Sequence, residues 1–443
     1  MGVDLDRTPR ARAREAGDPR QRLIAAMVEA ASRYGYGDAT VARVIELAGV
    51  SRATFYEHFT GREDCFLEVY RMTAREVGGA LGAAAEASAP AERLGAVLDV
   101  LVTLLESSPA AARLVLVEAL AAPAPVRAEH EALIATVEKL VARSLDAQPP
   151  AAAIQIPATA LLAGVGEVLA TRTLSTDPID LSRVRADLTR WIDAYRLPAG
   201  LSPLSQRCWR ELGRFAKTVG PRTTREPPLL PRGRSPLPPA QAAGARRRRL
   251  LDATARLAAA DGYAALTVAR IAATARVPRA AFYSHFECKR EALLEAQTVA
   301  LQEGMAAAAA AYSPVGSWGQ RIWRAGEALL SDVAANRDYA HLDFVESYAA
   351  GPSAVRRRHQ NHMAFAIFLE DGYRQVPEAV PLPSLCTEAV AGGVFGMMRR
   401  LVVEGKAERM LSILPAAVYT ILAPFIGPVE ASARVREWTP GGR

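Results

Sequence analysis

Residues Ser51–Phe59 read SRATFYEHF, and residues Pro278–Phe286 read PRAAFYSHF. The two phrases stand 227 positions apart. The likeness extends around them: aligned without a gap, Arg22–Phe59 and Arg249–Phe286 share 18 of 38 residues. It also continues downstream. VEALAAPAPVRAEH (Val117–His130) matches VESYAAGPSAVRRRH (Val345–His359) with one residue inserted, and LLAGVGEVLATR matches AVAGGVFGMMRR. A whole unit of about 180 residues is therefore present twice, too large for a solenoid repeat and suited to two domains in tandem.

Both copies read as all-helical. Leu23, Met27, Ala30 and Tyr34 fall on one helical face, and Gly35 stops that helix. Thr40 is placed to cap VARVIELA, whose Val41, Val44, Ile45 and Ala48 face inward, and Gly49 supplies the following turn. SRATFYEHF forms the next short helix, with Phe55 and Phe59 as its apolar anchors. Thr60 and Glu63 have capping-box spacing before a further helix. No alternating strand pattern appears. Two helices of about eight residues joined by a short Gly-containing turn describe a helix-turn-helix, whose second helix enters the major groove of DNA. The residue types agree. Arg52 opens that helix, where a guanidinium can pair with guanine, and Ser51, Thr54, Tyr56 and His58 can donate to phosphates.

TVARVIELAGVSRATFYEHFTGREDCFLEVY closely resembles the DNA-binding signature of TetR-family transcriptional regulators, and TVARIAATARVPRAAFYSHFECKREALLEAQ matches the same pattern. GGVFGMMRRLVVEGKAERMLSILPAAVYTILAPFIGP resembles the last two helices of such regulators, which usually form a dimer interface. The resemblance implies contacts to a double-stranded DNA operator at Thr40, Ser51, Arg52, Thr54, Tyr56, His58 and Arg62, with Arg43 a weaker candidate. In the second copy the matching positions are Thr267, Arg279, Tyr283, His285 and Lys289, with Arg270 the weaker candidate. Pro278 replaces Ser51, Ala281 replaces Thr54, and Arg276 replaces Gly49 where a positive φ is needed. The second motif is thus expected to fold and to bind DNA with a different preference.

The resemblance further implies a small-molecule effector, of unknown identity, and repression as the mode of control. It divides the chain into a basic arm (1–19), a first helix-turn-helix domain (20–66), a helical ligand-binding and dimerisation domain (67–198), a linker (199–245), a second helix-turn-helix domain (246–293), a second helical domain (294–428) and a tail (429–443). Because each unit is complete, the chain reads as a fused pseudo-dimer. The alternatives are a homodimer in which only the first motif reads DNA, and a small-molecule-binding protein without DNA control.

Bulk properties agree with this reading. Half of the 443 residues are apolar and 23% are charged, a globular composition. The net charge is +7, but residues 199–248 hold 11 Lys/Arg and 2 Asp/Glu, or +9, so the remainder is about −2. The same stretch holds eight prolines and reads as an extended linker, interrupted by LSQRCWRELGRFAKTVG, which suits a short amphipathic helix through Trp209, Leu212 and Phe215. Arg7, Arg10, Arg12 and Arg14, mixed with acidic residues, suit a disordered arm. Cys65, Cys208, Cys288 and Cys386 are widely separated and form no CxxC pair, which speaks against a disulfide framework or structural zinc and for a reducing cytoplasm. No secretory segment is visible, and the longest apolar run, Leu414–Val429, contains three prolines and is short for a membrane span.

Trp323, Phe344, Tyr348, Phe365 and Phe368 are the candidates to line an effector pocket, against a plain core reading. His359 and His362 share i, i+3 spacing but lack a third ligand, so a solvated helical face is expected there, and a bland helical face at Asp338, His341 and Asp343. No metal or cofactor is called for. The convergent acid, base and nucleophile of an enzyme are not found.

Overall fold

A computed structural model describes residues 17–175, 178–214, 216–222, 238–374 and 382–439. Arg7, Arg10, Arg12, Arg14 and Phe215 lie outside these residues, as does most of the Pro/Arg-rich stretch. Every regular element among them is helical, and the one strand-like pairing is an isolated antiparallel bridge between Ile154 and Arg196. The chain forms two compact units. One comprises Met1–Leu212, Leu369–Met397 and Tyr419–Arg443, and the other Gly213–Phe368 and Met398–Val418.

The first copy opens with α1 (Pro19–Tyr34), α2 (Val41–Ala48) and α3 (Arg52–His58). Asp18 caps α1 through the Arg20 N–H, and proline stands in the first turn, where its missing donor costs nothing. Leu23, Met27 and Ala30 are buried on its inner face. Thr40 caps α2 by accepting the Arg43 N–H, and Ser51 caps α3 by accepting the Thr54 N–H at 3.0 Å. Gly49 takes the left-handed conformation between them, at φ 61°. Phe55 and Phe59 are buried, with ring centroids 5.8 Å apart.

The helix that follows, α4 (Arg62–Ala87), is not started by the Thr60–Glu63 pair. Asp64 instead accepts both the Thr60 N–H (2.8 Å) and the Thr60 hydroxyl (3.1 Å), one position later than the spacing predicts. Next come α5 (Arg93–Ser107), α6 (Pro109–Arg113), a π-helical turn (Leu114–Glu118), α7 (Ala124–Asp146), α8 (Ala158–Leu174) and α9 (Leu181–Asp193). Here α4 packs on α5 and α7, and α8 on α7. Within the expected linker, α10 (Gln206–Leu212) is helical, and Trp209 is buried against Tyr419 with centroids 4.7 Å apart.

The second copy repeats this order as α11 (Pro239–Asp261), α12 (Val268–Ala275), α13 (Arg279–Tyr283), α14 (Lys289–Ala311), α15 (Trp318–Ala335), α16 (Arg337–His341), a π-helical turn (Leu342–Glu346) and α17 (Pro352–Ala364). Residues 239–245, read as linker, belong to α11. The chain closes with α18 (Cys386–Val403), α19 (Leu414–Ile426) and α20 (Pro428–Trp438), the last lying in the expected tail with Ala431 and Val435 buried.

In the first unit, the N-terminal part of α18 and the C-terminal part of α19 pack against helices of the first copy. Glu388 takes the Arg172 guanidinium at 3.0 Å together with the Thr171 hydroxyl, and the Tyr195 hydroxyl donates to the Thr420 carbonyl at 2.8 Å. Small residues bring α8 and α18 close. A Cβ on Gly393 would stand 2.9 Å from the Ala160 carbonyl, and one on Gly396 would stand 2.1 Å from the Ala163 Cβ. Among the described residues one helical stretch, Ala407–Ile426, is long and apolar enough to cross a membrane, and 67% of it is buried inside the protein.

Candidate nucleic-acid interface

The capping bonds set the chemistry of the first motif. With Ser51 and Phe55 fixed, Arg52, Tyr56 and His58 project from α3 into solvent. Tyr56 is 48% exposed, unusual for so large a ring, and the Arg52 guanidinium lies 5.7 Å from its centroid. Ser51 and Thr54 share a hydroxyl contact of 2.9 Å, and Thr40 is exposed at the start of α2. The exposed face therefore carries hydroxyls, one guanidinium and one phenol, the groups that bind phosphates and guanine edges.

The second motif rebuilds this face with fewer parts. Tyr283 is 52% exposed, and Arg279 reaches over it, with Nη2 3.4 Å from the phenol oxygen. Thr267 caps α12 through the Arg270 N–H. Arg276 occupies the left-handed position at φ 54°, the one non-glycine with positive φ among the described residues. Pro278 makes no side-chain cap, and α13 has five residues where α3 has seven. His285 lies beyond the end of α13, half-buried. Burial, and then Arg246 and Arg247, hold its pKa below the ordinary value.

Four of the basic candidates bond to their own domain, Arg62 and Lys289 half-buried and Arg43 and Arg270 exposed. Arg62 donates to the Gly37 carbonyl at 2.9 Å and sits 4.5 Å from the Tyr36 centroid. Lys289 donates to the Tyr263 and Leu266 carbonyls at 3.1 and 3.0 Å and sits 4.6 Å from the Tyr263 centroid. Arg43 donates to the Asp38 carbonyl at 2.5 Å, and Arg270 pairs with Asp261 at 2.5 Å. Each cation satisfies carbonyls or a carboxylate of its own domain.

A pair of glutamates, not anticipated from the residues, ties each motif to the helices behind it. Glu118, in the first π-helical turn, is 4% exposed and accepts the Tyr36 N–H at 2.8 Å and Arg113 at 3.0 Å. Burial raises its pKa, against the pull of that N–H and of Arg113. Glu346 accepts the Tyr263 N–H at 2.7 Å, with His341 Nε2 3.8 Å away. The signal lay in the second repeat block, where one acidic residue recurs in a stretch otherwise rich in alanine.

The effector candidates lie in α15, in and just after the second π-helical turn, and in the segment after α17. Phe344 and Tyr348 are buried beside Arg358 and His362. Phe365 and Phe368 lie with Tyr312, and Trp318 Nε1 donates to the Phe368 carbonyl, while Trp323 is half-buried. The solvated face expected at His362 is overturned. His362 is 3% exposed, because its helix turns it onto Phe344, and Asp343 bonds inward to Gln297 at 3.0 Å. No group of three His, Cys, Asp or Glu among the described residues could hold a metal.

Two short helices joined by a left-handed turn, the second presenting an exposed Arg–Tyr pair, make a helix-turn-helix, and the chain carries it twice. The family model for bacterial regulatory proteins of the tetR family matches twice, at residues 23–69 and 250–296, so the chain carries two tetR-type units in tandem. It is 38% identical over 82 residues to the HTH-type transcriptional regulator BetI of Brucella suis biovar 1, covering 18% of this chain and 41% of that protein. It is 27% identical over 94 residues to the HTH-type regulator AcrR of Shigella flexneri, covering 21% and 43%. The chain thus spans about two fifths of the curated relatives it matches, 41% for the first. Among solved structures it is similar to a tetR-family regulatory protein from Rhodococcus RHA1, at TM-score 0.36 and 19% identity over 40% of this chain and 95% of that one.

Proposed function

We infer that the chain is a sequence-specific DNA-binding repressor, released by a small molecule, that acts in the cytoplasm as a fused pseudo-dimer with two unlike readers. The observation that carries this is the doubled helix-turn-helix, each copy with an exposed Arg–Tyr pair on its second helix. Thr40, Ser51, Arg52, Thr54, Tyr56 and His58 are the contacts of the first reader, and Thr267, Arg279, Tyr283 and His285 those of the second. Arg43 and Arg270 are secondary, and Arg62 and Lys289 are positioning residues. Residues 20–66 and 246–293 serve as reading domains, with the helices behind them for ligand and assembly. The pseudo-dimer is supported by the packing of Glu388 and Thr420, from the second copy's closing helices, on Arg172 and Tyr195 of the first.

A mobility-shift titration against the DNA upstream of the chain's own gene tests this, together with light scattering at micromolar concentration. One chain mass and a retarded band are expected. Twice that mass would sink the monomeric form in favour of four motifs per assembly. A second reading, in which only the first motif reads DNA, is favoured by the short, uncapped α13. It predicts that Arg279→Ala and Tyr283→Phe leave both affinity and its salt slope unchanged.

A further inference from the structure

The two reading heads differ at the turn between their helices. In the first, the turn residue is Gly49, left-handed at φ 61° and ψ 41°. In the second, the same conformation is held by Arg276, at φ 54° and ψ 45°. Glycine adopts it without steric cost, whereas a side chain there crowds its own backbone. The first copy shows that the fold forms with glycine. The space around Gly49 is open, with nothing within 4 Å of an added Cβ. Packing therefore does not call for a side chain at this turn. A strained residue that the sister copy avoids is a candidate for a functional role.

The chemistry around the turn narrows that role. In the first head, Ser51 and Thr54 carry a pair of hydroxyls 2.9 Å apart. In the second, Pro278 and Ala281 stand at those positions and offer no side-chain donor. Arg276 brings several N–H donors and a permanent charge to the same stretch. It is exposed, and among the described residues no carboxylate pairs with it. Three other arginines of this domain each hold one: Arg247 holds Glu295, Arg248 holds Asp252 and Arg270 holds Asp261. In a helix-turn-helix the first helix crosses the phosphate backbone, and the second enters the groove by its N-terminal residues. Arg276 stands where α12 ends, three residues ahead of Arg279 at the start of α13. Its guanidinium is thus carried at the join between the helix over the backbone and the helix in the groove.

We propose that Arg276 is a phosphate anchor of the second reading head, standing in for the Ser51 and Thr54 hydroxyls that this copy lacks. It holds the head on the strand bordering the groove and carries no sequence information, which is left to Arg279. The exchange alters the character of the contact. A hydroxyl binds phosphate without neutralising it, whereas a guanidinium releases the counterions held there. The anchor therefore makes the second head's grip on DNA more sensitive to salt. The proposal rests on the DNA-binding reading above, but needs neither an operator of known sequence nor an effector.

The test measures affinity of the full chain against salt concentration on two duplexes, the DNA upstream of its own gene and an unrelated sequence of equal length. Arg276→Gly should lower the slope of log affinity against log salt by about one, on both duplexes alike. At a single fixed salt concentration it should weaken binding by about tenfold, the worth of one hydrogen bond to a charged group. Arg276→Lys keeps the charge and should keep the slope. Because glycine relieves the backbone, Arg276→Gly should not lower the unfolding temperature, and this keeps loss of binding distinct from loss of fold. An unchanged slope in Arg276→Gly, an equal loss in Arg276→Lys, or a loss confined to the upstream duplex would each overturn the proposal. If Arg279→Ala weakens binding while Arg276→Gly does not, the second head reads DNA without this anchor, and the functional reading stands. A slope that falls on both duplexes in a chain that binds them equally would support the anchor and remove sequence-specific reading instead. No binding to either duplex would overturn both.

Discussion

Arg62 and Lys289 open long helices beside the reading heads, yet both charges face the protein's own carbonyls. Arg62→Met is therefore expected to destabilise the first reading domain by about 1.5–3 kcal/mol, the range for hydrogen bonds made by a charged group. A lower unfolding temperature would register it, with the slope of log affinity against log salt unchanged. A slope smaller by about one would mean that Arg62 neutralises a phosphate after all. His285 offers a second test. Its pKa is depressed in the free protein by burial and then by two arginines. A phosphate brought near would favour the charged ring, so the complex should hold its proton more tightly. Affinity should then rise as pH falls toward the ordinary histidine range. Imidazole NMR with and without operator DNA reads this directly, and an unmoved titration would place the second motif off the DNA.

Each π-helical turn carries a buried glutamate to the turn that follows the first helix of its motif. Glu118→Ala leaves the Tyr36 N–H without its acceptor and should cost about 1–3 kcal/mol. Glu118→Gln keeps an acceptor there and should cost less. Because burial raises the Glu118 pKa, its contribution to stability is full below the unfolded carboxylate value and is lost as pH rises through the folded value. Chemical denaturation across that window should show the slope in the parent chain and a shallower one in Glu118→Gln. The same elements mark what could be read in advance. The cap at Thr40, the turn at Gly49 and the anchors Phe55 and Phe59 depend on neighbours a few residues away, so local rules reach them. Even the strained replacement at Arg276 was legible, since the repeat supplied the glycine it displaced. Glu118, the inward turn of Lys289 and the burial of His362 depend on helices distant in sequence, and no local pattern encodes those contacts. At Thr60 the local rule pointed to Glu63, and Asp64, one position on, took the bond instead.

Across the molecule, the contact between α8 and α18 depends on glycines where helices nearly touch. Gly396→Leu places a side chain where even a Cβ would stand 2.1 Å from Ala163. Overpacking of this kind costs about 1–3 kcal/mol, and small-angle scattering should show a larger radius alongside the lower unfolding temperature. An unchanged radius and midpoint would mean that α18 is not held there.

That same contact has a consequence for the cell that makes the protein. If the chain is the fused pseudo-dimer proposed above, the surface of α8 that a separate subunit would cover is occupied by a helix of the same chain. Pairing would then not depend on abundance, and occupancy of a DNA site should follow the amount of chain in simple proportion. Sister regulators built on the same scaffold would find no free face to exchange into, and the two unlike readers would stay matched to each other.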